Sequence, residues 1–336
     1  MKSYVLNIAN YKIRFENPAG DIELIPSEKF TGFLTDTDRY DVCIRVFSGE
    51  PELPAGAVKV FSAPYVEEIN GFRLKKNDKF WSVHKKDDIL YILTEFPFSP
   101  DNRSGMLRFS LGNKYWDLFL KGDFGQAGQV PPAGQVPPPG QVPPRAGPAD
   151  PMDYPLDGLI LYYLTVMHGD IMIHASGIRF QEKGFIFSGI SGRGKTTMAQ
   201  LWDSHGALVI HDDRLIIRRT RSFYTMFNTP VYRNDEARES PLDGIFIIEH
   251  GTENEALPLK GVKAITSILS NCIQHNWGET IIRQSLDAAI RICTDIPVYQ
   301  LRFRPDHSVI DYLLQQEEEH GEEHKEENEE EQGKEP

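Results

Sequence analysis

Cysteine, long apolar runs and surplus positive charge are all scarce in this chain, and each scarcity removes a class of protein. The three cysteines, Cys43, Cys272 and Cys293, are an odd number without metal-ligand spacing, so neither a disulfide framework nor a zinc cluster is expected. Cys272 and Cys293 fall on the apolar faces of predicted helices, and all three are expected as reduced core residues. The longest apolar stretch, Leu156 to Met167, is too short and too interrupted to cross a bilayer. The N-terminus lacks the apolar run of a signal peptide, so a cytoplasmic protein with no membrane partner is expected. The net charge is −13, but residues 317–336 hold eleven Glu and two Lys and account for −9 of it. The remaining −4 is mildly acidic and offers no basic face, which argues against a nucleic-acid partner.

The 336 residues suffice for about two domains, each with its own core. Residues 1–121 alternate short runs rich in Val, Ile, Tyr and Phe with turn residues, and no helical period competes. Strands are expected at Tyr4–Ile8, Tyr11–Phe15, Asp41–Phe47, Ala57–Phe61, Ile89–Thr94, Met106–Leu111 and Tyr115–Leu120. This smaller β-rich domain is assigned no chemistry, and Trp81, His84 and Trp116 are expected in its core. Residues 122–151 are a Pro/Gly-rich linker in which Gly128-Gln129-Val130-Pro131-Pro132 recurs from Gly134 and from Gly140. Proline at that density favours extended polyproline II, a semi-rigid spacer, over a packed element.

A second domain, 152–316, is expected to be α/β. Leu156, Leu159, Ile160, Tyr163, Leu164 and Met167 recur at three and four residues, which predicts a helix ending near Gly169. Strands follow at Asp170–Ala175, Gly177–Phe180, Phe185–Ser188, Ala207–Ile210, Arg214–Arg219, Asp243–Ile248 and Pro297–Phe303. Helices are expected after Ser188, around Ile265–Ile273, around Ile282–Cys293 and at Ser308–Leu314. The glutamate-rich tail 317–336 has no apolar residue to bury and is expected to be disordered.

The chemistry concentrates in Gly189-Ile190-Ser191-Gly192-Arg193-Gly194-Lys195-Thr196, which fits G-x-x-x-x-G-K-[ST] at every fixed position between a predicted strand and a predicted helix. A glycine turn opening a helix directs backbone N–H groups and the positive end of the helix dipole into one concavity, where phosphate fits. The expected nucleotide contacts are Gly189, Ile190, Ser191, Gly192, Arg193, Gly194, Lys195, Thr196 and Thr197. Lys195 would reach the β- and γ-phosphates, and the Thr196 hydroxyl would take one position on Mg²⁺.

Downstream, an apolar strand delivers His211, Asp212 and Asp213. Adjacent strand residues point to opposite sides, so this pair can place one carboxylate on the metal and one on an acceptor hydroxyl as general base. The expectation is Asp212 as base, Asp213 as metal contact and His174 near the base. His211, Arg193, Arg214, Arg233 and Arg238 are weaker candidates, with solvated surface arginine the default for the last three.

Taken together, Ile173-His174-Ala175-Ser176-Gly177, the loop through Lys195-Thr196-Thr197, and Val209-Ile210-His211-Asp212-Asp213 resemble the C-terminal domain of HPr kinase/phosphorylase and its phosphoenolpyruvate-carboxykinase-like relatives. The resemblance runs over roughly residues 154–314, including Thr229-Pro230 and Ser240-Pro241-Leu242. It implies a mixed-sheet P-loop kinase domain in which a histidine and an aspartate assist the nucleophile while the loop Ser/Thr and an aspartate hold Mg²⁺. By position these are His174, Thr196 and Asp212/Asp213. The Glu-x-Arg-Gly-x-Gly stretch that HPr kinases carry after the aspartates is replaced here by Asn234-Asp235-Glu236-Ala237-Arg238. The resemblance therefore does not extend to HPr as substrate or to the phosphorylase reaction.

The expectation is an ATP- and Mg²⁺-dependent kinase acting on a hydroxyl, in a protein, a peptide or a small molecule, with a homo-oligomer left open. A nucleotide-binding regulatory module without transfer, or a carboxykinase-type enzyme, are the alternatives.

Overall fold

The computed structural model describes residues 1–63, 68–69, 72–73, 80–95, 104–122, 149–220, 223–275 and 277–316. The proline repeat and the glutamate-rich tail lie outside the described residues. The chain is a mixed α/β protein that divides into two compact units. One comprises Met1–Asp170, Pro230–Ala237 and Gln274–Ser285; the other comprises Ile171–Thr229, Arg238–Ile273 and the described part of Leu286–Pro336.

The first unit contains β1 (Ser3–Ile8), β2 (Tyr11–Glu16), β3 (Leu34–Thr35), β4 (Val42–Ser48), β5 (Val58–Ser62), β6 (Glu68–Ile69), β7 (Phe72–Arg73), β8 (Trp81–Lys86), β9 (Ile89–Glu95), β10 (Ser104–Phe109) and β11 (Tyr115–Lys121), then α1 (Leu156–His168). Every strand expected here forms, with bounds moved by one or two residues, and β3, β6, β7 and β8 join them. Nine strands make one sheet in the order β3-β1-β2-β4-β11-β10-β9-β8-β5. β2 shows why: Tyr11, Ile13 and Phe15 are buried while Lys12, Arg14 and Glu16 between them are not, the period-2 pattern of a strand with one face on a core. Trp81, His84 and Trp116 are buried, as expected of core aromatics. α1 buries nearly every residue, which fits its apolar circumference. Its first turn carries Asp157, paired at 2.7 Å with Lys29, and it stops where Gly169 turns left-handed at φ 68°.

The second unit contains β12 (Ile171–Phe180), β13 (Lys183–Ser188), α2 (Lys195–Ser204), β14 (Leu208–His211), β15 (Arg214–Thr220), β16 (Phe223–Asn228), β17 (Glu239–Pro241), β18 (Gly244–His250), β19 (Glu255–Leu259), α3 (Val262–Asn271), the second half of α4 (Glu279–Asp295), β20 (Val298–Phe303) and a closing helix over 308–316. The sheet order is β17-β16-β15-β12-β13-β18-β20-β19, with β14 also on β12. β13, β18 and β20 run parallel to one another at its centre, and β13 and β18 carry the short continuous apolar runs of strands covered on both faces. On one face Ile186, Ile245 and Val298 pack with Ala264 and Ile268 of α3 and with Ala288, Ala289 and Ile292 of α4. On the other, Phe185, Phe187, Phe246, Leu301 and Phe303 pack with Met198 and Trp202 of α2 and with Val309, Ile310 and Leu313 of the closing helix. Each such side chain contributes roughly 1.5–3 kcal/mol by leaving water, so these two layers hold the central strands in place.

Two readings need correcting. Asp170–Ala175 and Gly177–Phe180 are one strand, β12, because Ser176 between them is buried and pairs with Phe187 in an unbroken ladder with β13, and Gly177 is a packing position. A Cβ there would lie 2.8 Å from Leu215 Cδ1 and 2.9 Å from Met226 Sδ. Cys272 lies just past α3 and not on its apolar face, although it does pack against the same core; all three cysteines are free thiols. Among the described residues no helix is long and apolar enough to cross a membrane.

Candidate functional site

The connection from β13 to α2 is residues 189–194. Two of its glycines take backbone conformations that L side chains rarely adopt, Gly192 at φ 80° and Gly194 at φ 94°. At Gly194 space is also short, since a Cβ would sit 2.8 Å from Phe303 Cζ and 3.0 Å from His250 Cε1. Gly194 caps α2 without any side-chain hydrogen bond, and the first turn of the helix holds no acidic residue. The backbone donors of that turn are therefore left to whatever the loop encloses. Ser191, Gly192, Arg193 and Thr196 are exposed, as is Ile190 at 71 %, whereas Lys195 is buried at 7 %. Its Nζ donates to the Gly189 carbonyl at 2.8 Å and to that of Ile190 at 3.4 Å, so the loop curls around the ammonium group. Burial pushes the Lys195 pKa below its ordinary value, and the charge of Asp213 partly restores it.

The second element of the site is a break in pairing. One edge of β12 takes β13, with Ala175 opposite Ser188. The other edge is shared: β14 pairs with Gly177–Arg179, and β15 with Ile171–His174. Asp212 and Asp213 fall in the joint between the two short strands. Three contacts hold that joint. The Asp213 carbonyl accepts from Ala175 N–H at 3.0 Å, and the buried His211 Nδ1 accepts from Asp213 N–H at 3.0 Å and Arg214 N–H at 3.4 Å. Ser188, the last residue before the loop, donates its hydroxyl to the His174 carbonyl at 2.9 Å. The ladder between β12 and β13 therefore sets the start of the glycine loop beside His174.

At the joint, His174 Nε2 lies 3.4 Å from Asp213 Oδ1, and Arg214 Nε lies 3.9 Å from Oδ2. Burial alone would raise the Asp213 carboxyl pKa. The hydrogen bond from His174, with the charges of Arg214, His174 and His211, outweighs it and holds the group below the usual carboxylate range.

Of the residues singled out by sequence, the structure brings together the loop, Lys195, His174, Asp213 and, adjacent in the joint, Asp212. His211 is a buried backbone acceptor in the joint. Arg193 is exposed on the loop, Arg238 donates to the Val209 carbonyl at 2.8 Å, and Arg233 belongs to the first unit, where it pairs with Glu28. Sequence reasoning gave no role to Ser188 or to Thr229, whose hydroxyl donates to the Arg214 carbonyl at 3.2 Å. A serine closing the apolar run 185–187 was the available signal for the first. Among the described residues no three His, Cys, Asp or Glu side chains group as a metal site.

No protein-family model matches the sequence, and no curated protein matches it. Among solved structures, one described as the Hpr(Ser) kinase/phosphatase from Coxiella burnetii aligns with 45 % of this chain and 98 % of its own, at 9 % identity and a TM-score of 0.30. A likeness at that level decides neither family nor activity.

Proposed function

We propose that the second unit is a phosphotransferase that uses ATP and Mg²⁺ to phosphorylate a hydroxyl group, that of a serine in a protein or peptide or of a small alcohol. The observation that carries the reading is the buried Lys195 ammonium, wrapped by the G-x-x-x-x-G-K-T loop and electrostatically coupled to the Asp213 carboxylate. A P-loop lysine serves a triphosphate in this setting: backbone N–H groups at the start of α2 and Lys195 neutralise phosphate oxygens, and catalysis is mostly positioning and charge balance.

The donor set suits Mg²⁺. This ion keeps waters and phosphate oxygens as ligands and needs only one or two protein groups, here the Thr196 hydroxyl and the Asp213 carboxylate, so a cage of three carboxylates is not required. When bound, Mg²⁺ neutralises charge on the β- and γ-phosphates. His174 and Arg214 keep Asp213 ionised, which favours a charge-balancing role for it. Asp212 then accepts the acceptor's hydroxyl proton as the oxygen bonds to the γ-phosphorus. The bond from that phosphorus to the β–γ bridging oxygen breaks, and ADP leaves.

The test is transfer of label from γ-labelled ATP to peptides, hydroxyl metabolites and cell lysate by the full chain. Asp212→Asn is expected to bind Mg·ATP normally and to lose transfer by about 10²–10⁴-fold, the usual worth of a general base. Asp213→Asn is expected to raise the Mg²⁺ requirement. Mg·ATP binding with no labelled product from any acceptor would favour the regulatory-module reading, and equal transfer by all three proteins would remove the aspartates from the mechanism.

A further inference from the structure

A second cavity in the same unit, of about 720 Å³, is lined by Phe185, Trp202, Phe246, Tyr299 and Leu313, within the size range of small-molecule pockets. It is separate from the loop. α2 opens at Lys195 and reaches Trp202 seven residues on, about 10 Å along the helix axis. Its walls are aromatic: Phe246 stacks on Tyr299 with centroids 5.3 Å apart, and Phe185 meets Phe246 edge-on at 5.9 Å. Two features of these walls are not those of a plain packing defect. Trp202 is 1 % exposed, yet its indole Nε1 has no hydrogen-bond partner among the described residues, an uncommon state for a buried donor. The lip also carries Lys260 and Gly261, and Gly261 is the N-cap of the ten-residue α3, whose first turn holds no acid and no side-chain cap.

The charges at the lip favour one sign of ligand. Asp295 also borders the cavity, but it is paired with Arg219, whose Nη2 lies 3.9 Å from its Oδ2. Lys260 is exposed and has no carboxylate partner among the described residues. A lysine beside a helix N-terminus attracts an anion, while the aromatic part of the wall offers an apolar body a surface to pack on.

We propose that this cavity is a binding site for an amphipathic carboxylic acid, with its carboxylate at Lys260 and the N-terminus of α3 and its apolar body between Trp202 and Tyr299. The site makes no use of the nucleotide loop and stands whether or not that loop binds ATP.

Decanoate is a suitable probe, titrated into the full chain carrying ¹⁵N-labelled tryptophan. The indole N–H resonance of Trp202, assigned by its loss in Trp202→Phe, is expected to shift saturably while those of Trp81, Trp116 and Trp277 stay in place. Lys260→Glu is expected to weaken binding by about tenfold or more, as loss of a charge-assisted contact does, and decanol is expected to bind correspondingly less well than decanoate. Leu314→Trp, which grows into the cavity from a half-buried wall position, should abolish the shift. Absence of a saturable Trp202 shift, or equal binding by wild type and Lys260→Glu, would overturn the proposal. Lys260 is a surface side chain whose replacement leaves the core intact, so that arm decides even if Leu314→Trp fails to fold.

Discussion

The two nine-stranded sheets each hold a conspicuous aspartate, and they use it in opposite ways. Asp117 of β11 stands directly opposite Arg45 of β4 and Arg108 of β10 in unbroken ladders. It is 4 % exposed and takes hydrogen bonds from both guanidinium groups, at 2.8 Å from Arg45 Nε. Its charge is spent within the sheet. Asp213 lies where a ladder is interrupted, between β14 and β15, and its partners are a half-exposed histidine and a more distant arginine. An unbroken ladder orders charged side chains for stability, whereas a joint between two short strands leaves a carboxylate pinned by its backbone and still able to meet a ligand.

The largest expected effect comes from exchanging the same chemistry at these two positions. Asp213→Asn should reduce phosphoryl transfer by about 10²-fold or more, the scale of a lost preorganised charge, while costing under about 1 kcal/mol of stability for a partly exposed pair. Asp117→Asn should do the reverse, lowering the urea midpoint by the equivalent of roughly 1–3 kcal/mol while leaving the transfer rate within about twofold, because it leaves two arginines facing a neutral amide. Rates and urea melts of both variants check this, and equal effects on rate would erase the contrast.

The histidines sharpen the same comparison at a smaller scale. His275, in the first unit, lies among Trp81, Tyr162 and Phe61 with ring centroids 4.6, 4.3 and 5.7 Å away, and burial pushes its pKa down to about 4. Its unfolded value is about 6.5, so the unfolded chain binds the proton more readily. Stability is whole above pH 6.5 and falls as pH drops from 6.5 toward 4, by up to about 3 kcal/mol from this residue. Urea melts at pH 7, 5.5 and 4.5 should show a steeper loss in wild type than in His275→Phe. Parallel curves would mean that the ring is solvated.

The smallest effect is expected from the two segments of extreme composition. Replacing residues 125–147 by a Gly/Ser linker of similar reach and ending the chain at Gln316 should leave both melting temperature and transfer nearly unchanged, since neither segment has the apolar content to bury a surface. A shift of more than a few degrees in a thermal melt would show that one of them packs.

Much of the local structure was legible because it follows from local rules. The 3.6-residue period and Gly169 mark α1, alternation marks β2, and the glycine spacing marks the loop. What escaped is non-local. The join of Asp170–Ala175 to Gly177–Phe180 is one case, since only the ladder with β13 shows that Ser176 continues the strand. β17 and β19 are short, carry proline and charge, and exist because a neighbouring strand offers an edge. The residue types at the candidate site were visible in order, but the partner of His174 was not. Asp213 meets it only because β14 and β15 share one edge of β12, a pairing that strand alternation within 207–219 does not encode.

The central claim is that the loop around Lys195 holds the triphosphate of a nucleotide. Calorimetric titration of a non-hydrolysable Mg·ATP analogue into the full chain and into Lys195→Met tests it most directly, since methionine keeps the length of the side chain and removes its charge. The account predicts saturable one-site binding to wild type, weakened at least about tenfold in Lys195→Met with an unchanged thermal melt. Equal affinity in the two proteins, or no binding to wild type, would contradict it.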